Sequence, residues 1–306
     1  MNLNVVSTAA HESDADLLAV LIDDPTRLPA SLADLDAKLG GALTRELARG
    51  QVKADAASLV IVTGAETGPG RIALVGFGPD ADGRGDALRV AGSKIAGAAR
   101  AAEARSIAIV APADADDVDA LVTGAVLGAF RIHKYRSDVS SDADAADKRA
   151  YAGPEQLSLL GDEQAIGDVA ARAKTVADAQ NWARDLANAP ANRMMPIDLA
   201  RAAKELADEH EHLTFRELDR AGIKDAKMGM LAAVAQGSAD EPRVIVLEWN
   251  PPATSESDEK RLALVGKAVV FDTGGISIKP TGGMEDMKLD KAGGCAVIGA
   301  MRAIAA

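Results

Sequence analysis

Short runs of apolar and β-branched residues alternate with longer segments of helical periodicity through the first half of the chain. Such alternation is typical of βαβ units around a largely parallel sheet, so the sequence predicts an α/β fold. The longer segments are Gly83–Ala104 and Val118–Phe130, in which apolar residues recur at the spacing of one helical face. The four predicted strands are Leu17–Ile22, Ser58–Thr63, Arg71–Phe77 and Ser106–Ala111.

The size and charge of the chain limit the classes of protein to which it can belong. With 306 residues, 48% of them hydrophobic and 26% charged, it has the composition of a globular protein of about two domains. Lysine and arginine number 34 against 46 aspartate and glutamate, which gives a formal net charge of −12. Because this charge repels phosphate backbones and anionic lipids, we expect neither nucleic acid nor a membrane as a partner.

Two further features indicate the compartment. The N-terminus lacks a basic region followed by an apolar stretch, and no run approaches the roughly 18 apolar residues of a membrane helix. Cys295 is the single cysteine, so no intrachain disulfide can form, and we expect its side chain to pack as a small buried group. The sequence therefore predicts a cytoplasmic protein.

The composition changes at Ser137–Lys148, where serine, aspartate and alanine without periodicity predict a surface loop. Gln156–Leu160 is predicted as one more strand, and Gly167–Ala187 as a long helix leading into a second domain. We place the boundary after residue 164, giving an amino-terminal domain over 1–164 and a second domain over 165–306. The elements predicted in the second domain are helices Pro196–Glu209 and Ala292–Ala306 and strands Leu213–Glu217, Arg243–Trp249 and Arg261–Val270.

The residues with the clearest chemistry follow the last predicted strand. Lys267 lies inside that apolar strand, where a buried ammonium needs a partner or a function. Asp272 comes at the carboxyl end, where open α/β sheets assemble ligand sites, and Asp290 follows 18 residues later. Carboxylate oxygens suit Mn²⁺ and Mg²⁺ and are accepted by Zn²⁺, and lysine ligates only as the neutral amine. From residue types alone, a metal site and one alternative are equally favoured. In the alternative, the two carboxylates cap a turn and a helix, and Lys267 extends to the surface.

The stretch Val265–Asp290 resembles the metal-binding signature of the leucyl aminopeptidase family, the two-metal cytosolic aminopeptidases. Three other segments resemble the family in the same order along the chain, namely Gly124–Tyr135, Asn188–Pro196 and Met228–Ser238. The resemblance implies a macro-domain-like amino-terminal α/β domain, followed by the first half of an α/β/α metallopeptidase catalytic domain.

The same resemblance implies a role for each residue of the signature. Lys267, Asp272 and Asp290 are implied as metal ligands, with Asp272 bridging two divalent ions, Mn²⁺ or Zn²⁺. Lys279 is implied as the catalytic lysine that polarises the scissile carbonyl. The implied reaction removes N-terminal residues, often leucine, from peptides with a free N-terminus, and full-length relatives form hexamers through the catalytic domain.

The chain also departs from the family pattern. The next metal motif of the family, Asn-Thr-Asp-Ala-Glu-Gly-Arg, does not follow Asp290, so we expect the catalytic domain to be C-terminally incomplete and the activity of these 306 residues to be affected. Lys291 stands where members usually have methionine, and Cys295 where a small residue is usual.

Two other functions compete with the aminopeptidase. A chain with an incomplete catalytic domain can act as a non-enzymatic assembly or binding module through its first domain. Phe271–Gly275 alternatively resembles the Asp-x-Gly-Gly phosphate loop of an actin-like sugar kinase. The sequence lacks the second phosphate loop and the N-terminal placement that such a kinase requires.

Overall fold

A computed structural model describes residues 1–55, 58–64, 68–77, 83–132, 135, 153–250 and 261–306, and the loop predicted at Ser137–Lys148 lies outside them. The chain divides into two units, Met1–Asp178 and Ala179–Ala306. The division falls inside one continuous helix, Glu163–Asn188. The boundary predicted after residue 164 lies near the start of that helix and stays a prediction.

The amino-terminal unit is built on a six-stranded sheet with the order β1-β6-β5-β2-β4-β3. All neighbouring strands in it are parallel except the antiparallel pair β3 and β4, which confirms the predicted, largely parallel sheet. The strands are β1 Asn2–Val6, β2 Leu17–Ile22, β3 Leu59–Thr63, β4 Arg71–Gly76, β5 Ser106–Val110 and β6 Gln156–Leu160. The helices are α1 Ala33–Lys38, α2 Ala42–Ala48, α3 Arg84–Ala101, α4 Ala115–Ala129 and α5 Glu163–Asn188, with short 3₁₀ turns at Ala10–Glu12 and Ala30–Leu32.

Both faces of this sheet are covered, which explains why β2 is apolar at every position. Alternate residues along a strand point to opposite faces, so Leu17 and Ala19 pack beneath α3, α4 and the first part of α5. Leu18, Val20 and Ile22 point the other way, onto the apolar residues of α1 and α2. The unit is therefore a three-layer sandwich whose central strands are buried on both sides.

Glycines set the distance between α3 and α4. A Cβ added at Gly92 of α3 would lie 2.4 Å from the carbonyl oxygen of Leu121, and one at Gly124 of α4 would lie 2.1 Å from that of Arg89. Real Cβ atoms do not approach backbone so closely, so these positions admit only glycine without movement of the helices. The helix predicted at Val118–Phe130 is thus confirmed and packs against α3 through backbone contact.

Among the described residues, the second unit has fewer residues in helices and strands than the first. Its elements after α5 are α6 Pro196–Asp208, β7 Leu213–Leu218, α7 Arg220–Asp225, α8 Gly229–Ala235, β8 Val244–Trp249, α9 Thr281–Met284, a 3₁₀ helix Glu285–Lys291 and α10 Ala292–Ala305. Strands β7 and β8 form an antiparallel pair. Leu199 and Leu206 of α6 pack with Leu213, Cys295 and Ile298 in its core. The predicted burial of Cys295 is confirmed.

One predicted strand is wrong. Residues 261–270 form no strand in the part of the chain that the structure describes, although their composition is strongly apolar. A strand exists only through hydrogen bonds to a neighbour, and β8 is paired with β7 alone among the described residues. As a result Leu262 is 87% exposed and Val265 is 93% exposed. Among the described residues, no helix has the length and apolar character needed to cross a membrane.

Candidate metal centre

Asp272 lies in a turn that its own carboxylate helps to form. Its Oδ1 accepts a hydrogen bond from the Gly274 amide at 2.9 Å, and the amide of Lys279 donates to the carbonyl oxygen of Thr273, also at 2.9 Å. Gly274 has a φ of +87°, and a Cβ there would lie 2.3 Å from the Ser277 carbonyl oxygen. Only glycine takes this conformation without strain, so the sequence closes the loop that carries Lys279 back towards Asp272.

The Lys279 ammonium is the direct partner of Asp272. Its Nζ lies 2.8 Å from Asp272 Oδ2 and 2.8 Å from the sulfur of Met287. The hydrogen bond from Lys279, followed by that from the Gly274 amide, holds the pKa of Asp272 below its usual value. Asp272 is therefore an anion, while Lys279 is a cation that can be drawn to another acceptor.

Lys267 and Asp290 form a second pair. Lys267 Nζ lies 2.8 Å from Asp290 Oδ2, and contact with this carboxylate, with a further contribution from Asp272, raises the pKa of Lys267. The Lys267 side chain is 60% exposed, so the expectation that it lies buried in a strand is wrong, because the segment has no partner strand to cover it. Asp290 Oδ2 is buried, and among the described residues its partner is the Lys267 ammonium.

Close backbone packing brings Lys267 to Asp290. A Cβ at Gly266 would lie 2.3 Å from the carbonyl oxygen of Gly293, and one at Gly294 would lie 2.5 Å from the Cβ of Ala268. The amide of Gly294 donates to the carbonyl oxygen of Lys267 at 2.6 Å. The start of α10 therefore rests directly on the 266–268 segment, and Asp290 at the end of the preceding 3₁₀ helix lies beside Lys267.

Sequence reasoning gave no role to Lys291, which the structure buries completely. Its Nζ donates to the carbonyl oxygen of Ala189 at 2.9 Å and to that of Lys288. Burial lowers the pKa of Lys291, and it raises the pKa of the neighbouring Cys295 thiol to about 11. The sequence carried one signal that Lys291 is unusual, since this lysine stands where members of the family usually have methionine.

The residues fit part of a metal site. Asp290 offers a buried carboxylate oxygen that pairs with Lys267, Asp272 offers a second carboxylate, and Lys267 interacts with both. The carboxylate oxygens suit Mn²⁺ or Zn²⁺, and Lys267 could join them only after losing the proton that its ion pair with Asp290 retains. Among the described residues no group of three or more His, Cys, Asp or Glu side chains is placed to hold an ion, so the protein ligands fall short of a closed shell. The capping alternative also holds for Asp272, which binds the Gly274 amide.

Comparison with known proteins identifies the family. Residues 181–306 match the model of the cytosol aminopeptidase family, catalytic domain, and residues 19–139 match the N-terminal domain of the same family. The chain belongs to the cytosol aminopeptidase family. The predicted fold, an amino-terminal α/β domain followed by sequence of the metallopeptidase catalytic domain, is confirmed, and the sugar-kinase alternative is inconsistent with this membership.

Curated relatives match most or all of the chain. A probable cytosol aminopeptidase of Solibacter usitatus is 41% identical over 77% of this chain and 47% of its own length. One from Alkalilimnicola ehrlichii is 32% identical over 100% of this chain and 62% of its own length. The chain thus spans about half the length of these curated relatives.

Solved structures show the same relationship. A mutant of tomato leucine aminopeptidase superposes with a TM-score of 0.79 at 28% identity, covering 100% of this chain and 59% of that one. The bottromycin maturation enzyme BotP, in complex with Mn, superposes with a TM-score of 0.71 at 27% identity, covering 95% of this chain and 56% of that one.

Proposed function

We propose that the protein is a metal-dependent aminopeptidase that removes N-terminal residues, often leucine, from peptides with a free N-terminus. Family membership supports the aminopeptidase class, and the tomato leucine aminopeptidase among its structural neighbours supports leucine as a substrate residue. The described chain supplies the amino-terminal domain and one group of ligands. We also propose that the boundary between the amino-terminal and catalytic domains lies after residue 164.

The proposed ligands are Asp272, Asp290 and Lys267, for two divalent ions, Mn²⁺ or Zn²⁺. The buried Oδ2 of Asp290 carries this assignment, because its partner among the described residues is the exposed Lys267 ammonium, which a divalent cation could replace. BotP, a structural neighbour, was solved in complex with Mn, which supports Mn²⁺ as one candidate. Asp272, whose lowered pKa keeps it anionic, is the proposed bridging ligand.

Lys279 is the proposed catalytic residue. A divalent ion, when bound, supplies a Lewis acid and a more acidic water. Lys279 Nζ is held by Asp272 Oδ2. If the Asp272 carboxylate bound a metal ion instead, Lys279 would be free to donate to a substrate carbonyl oxygen. The turn closed by Gly274 keeps Lys279 and Asp272 on the same loop, which limits how far the ammonium moves when it changes acceptor.

Metal binding by the purified chain tests the assignment. We expect that Mn²⁺ binds, and that Asp290→Asn and Asp272→Asn each weaken binding by about tenfold or more, as measured by the electron paramagnetic resonance signal of free Mn²⁺. Asp286→Asn is the matched control, since Asp286 lies in the same 3₁₀ helix, is exposed and has no assigned role. Unchanged affinity in Asp290→Asn would contradict the site.

We further propose that the full-length protein is a cytoplasmic homohexamer assembled through its catalytic domain. The support is family membership, together with the net charge of −12, which disfavours phosphate and lipid partners. Analytical ultracentrifugation of the full-length gene product tests this state, and a monomer at micromolar concentration would contradict it.

A further inference from the structure

Lys291 is a fully buried lysine with no carboxylate within ion-pair distance among the residues that the structure describes. Its ammonium instead donates to two backbone carbonyl oxygens, those of Ala189 and Lys288. Replacing a buried charge by an apolar side chain of similar volume is often neutral or stabilising. A lysine here is therefore not explained by packing alone, and its hydrogen bonds need a separate reason.

The two acceptors lie in different parts of the second unit. Ala189 follows the last residue of α5, 102 residues before Lys291 in the chain. Lys288 lies in the 3₁₀ helix Glu285–Lys291, the same helix that carries Asp290. The Lys291 side chain therefore ties the end of the helix bearing Asp290 to the loop that begins after α5.

This tie lies next to the buried carboxylate of Asp290, a proposed metal ligand. Asp290 directly precedes Lys291, and its buried Oδ2 faces Lys267 at 2.8 Å. A short 3₁₀ helix has weak internal hydrogen bonds, so external ties decide how well its side chains are placed. We propose that Lys291 is a positioning residue for the metal site, which holds the Asp290 carboxylate in place through Ala189 and Lys288; this inference rests on the function proposed above.

The test compares Lys291→Met with Lys288→Met. Both variants remove one positive charge from the same 3₁₀ helix, and removing a nearby cation by itself strengthens the binding of another cation. Lys288 offers its backbone carbonyl to the tie, not its side chain, so Lys288→Met leaves the tie intact. We expect Lys291→Met to weaken Mn²⁺ binding by about tenfold, as loss of a supporting contact does, while Lys288→Met leaves it unchanged or stronger.

Equal or tighter Mn²⁺ binding in Lys291→Met would overturn the proposal. Loss of thermal stability without loss of affinity would overturn it as well, since that result describes a merely structural residue. If Asp290→Asn also leaves Mn²⁺ binding unchanged, the proposed metal site itself fails. If only Lys291→Met is without effect, the site stands and the positioning role fails.

A second measurement does not depend on metal. The amide of Gly294 donates a hydrogen bond to the carbonyl oxygen of Lys267. Hydrogen exchange at this amide, followed by nuclear magnetic resonance, therefore reports whether the start of α10 stays in contact with the segment that carries Lys267. Faster exchange at Gly294 in Lys291→Met than in Lys288→Met supports the proposal, and equal exchange overturns it. Should Lys291→Met fail to fold, Lys291→Gln replaces it. Its amide can satisfy one buried carbonyl oxygen but is one bond too short to reach both, so the same results are expected from loss of the second contact.

Discussion

The central sheet of the amino-terminal unit and the candidate-site segments of the second unit are stabilised in different ways. Residues of β2 pair with β4 on one side and with β5 on the other, and nearly all are buried. Residues 261–279 form no strand, and Val265 and Ile276 are fully or almost fully exposed. The sheet is held by many equivalent contacts, whereas the site depends on a few specific ones, such as the hydrogen bond from Gly294 to Lys267.

The largest expected effect tests this contrast directly. Ile107 of β5 is fully buried between β2 and β6, whereas Leu262 is 87% exposed. We expect Ile107→Ala to lower the free energy of unfolding by about 2–5 kcal/mol, because it leaves a cavity in a covered sheet. The matched truncation Leu262→Ala is expected to change it by less than about 0.5 kcal/mol. Urea unfolding measures both, and comparable losses would remove the distinction between the two regions.

An intermediate effect is expected where α3 meets α4. Gly92→Ala places a Cβ within 2.4 Å of the Leu121 carbonyl oxygen and should cost about 1–3 kcal/mol of unfolding free energy through overpacking. Gly97 lies in the same helix, where a Cβ would approach only the Arg100 guanidinium at 3.8 Å. Gly97→Ala should stabilise by up to about 1 kcal/mol, because alanine favours the helix. Thermal unfolding of both variants gives the two signs, and a stabilised Gly92→Ala would argue against tight helix packing.

The smallest effect concerns a carboxylate with one oxygen that accepts three hydrogen bonds. Asp16 Oδ2 accepts from the amides of Arg105 at 2.8 Å and Ser106 at 2.9 Å. Burial alone would raise the pKa of Asp16, but these bonds and that from the Ser106 hydroxyl lower it below its usual value. A lowered pKa contributes stability above the unfolded value of about 3.9, and this is lost as the pH falls through the folded value.

We therefore expect Asp16→Asn to cost about 1 kcal/mol near neutral pH and progressively less in acid. Asp14→Asn, at an exposed position two residues earlier, is the control and should show little effect at either pH. Urea unfolding at several pH values measures the difference. A loss that is the same at neutral and acidic pH would mean that the charge of Asp16 does not act through its hydrogen bonds to β5.

Sequence patterns located the elements of the covered sheet well. Strands β2 and β6 have the predicted bounds, because an apolar run between turn residues has few other options once both faces are covered. The edge strand β1 and the short helices α1 and α2 were not anticipated, since each is short and its apolar pattern is weak. The strand expected at residues 261–270 failed for the opposite reason, because its pattern is strong but strand formation depends on a partner.

The sequence by itself determined the family and the α/β class, and it predicted Lys267, Asp272, Lys279 and Asp290 as the candidate site, because spacing and residue type are local properties of the chain. Only the tertiary structure decided how these residues pair, Lys279 with Asp272 and Lys267 with Asp290. It alone also connected Lys291 to Ala189, a contact across 102 residues. Such contacts arise from backbone packing at Gly266 and Gly294 and from burial, and no local pattern encodes them.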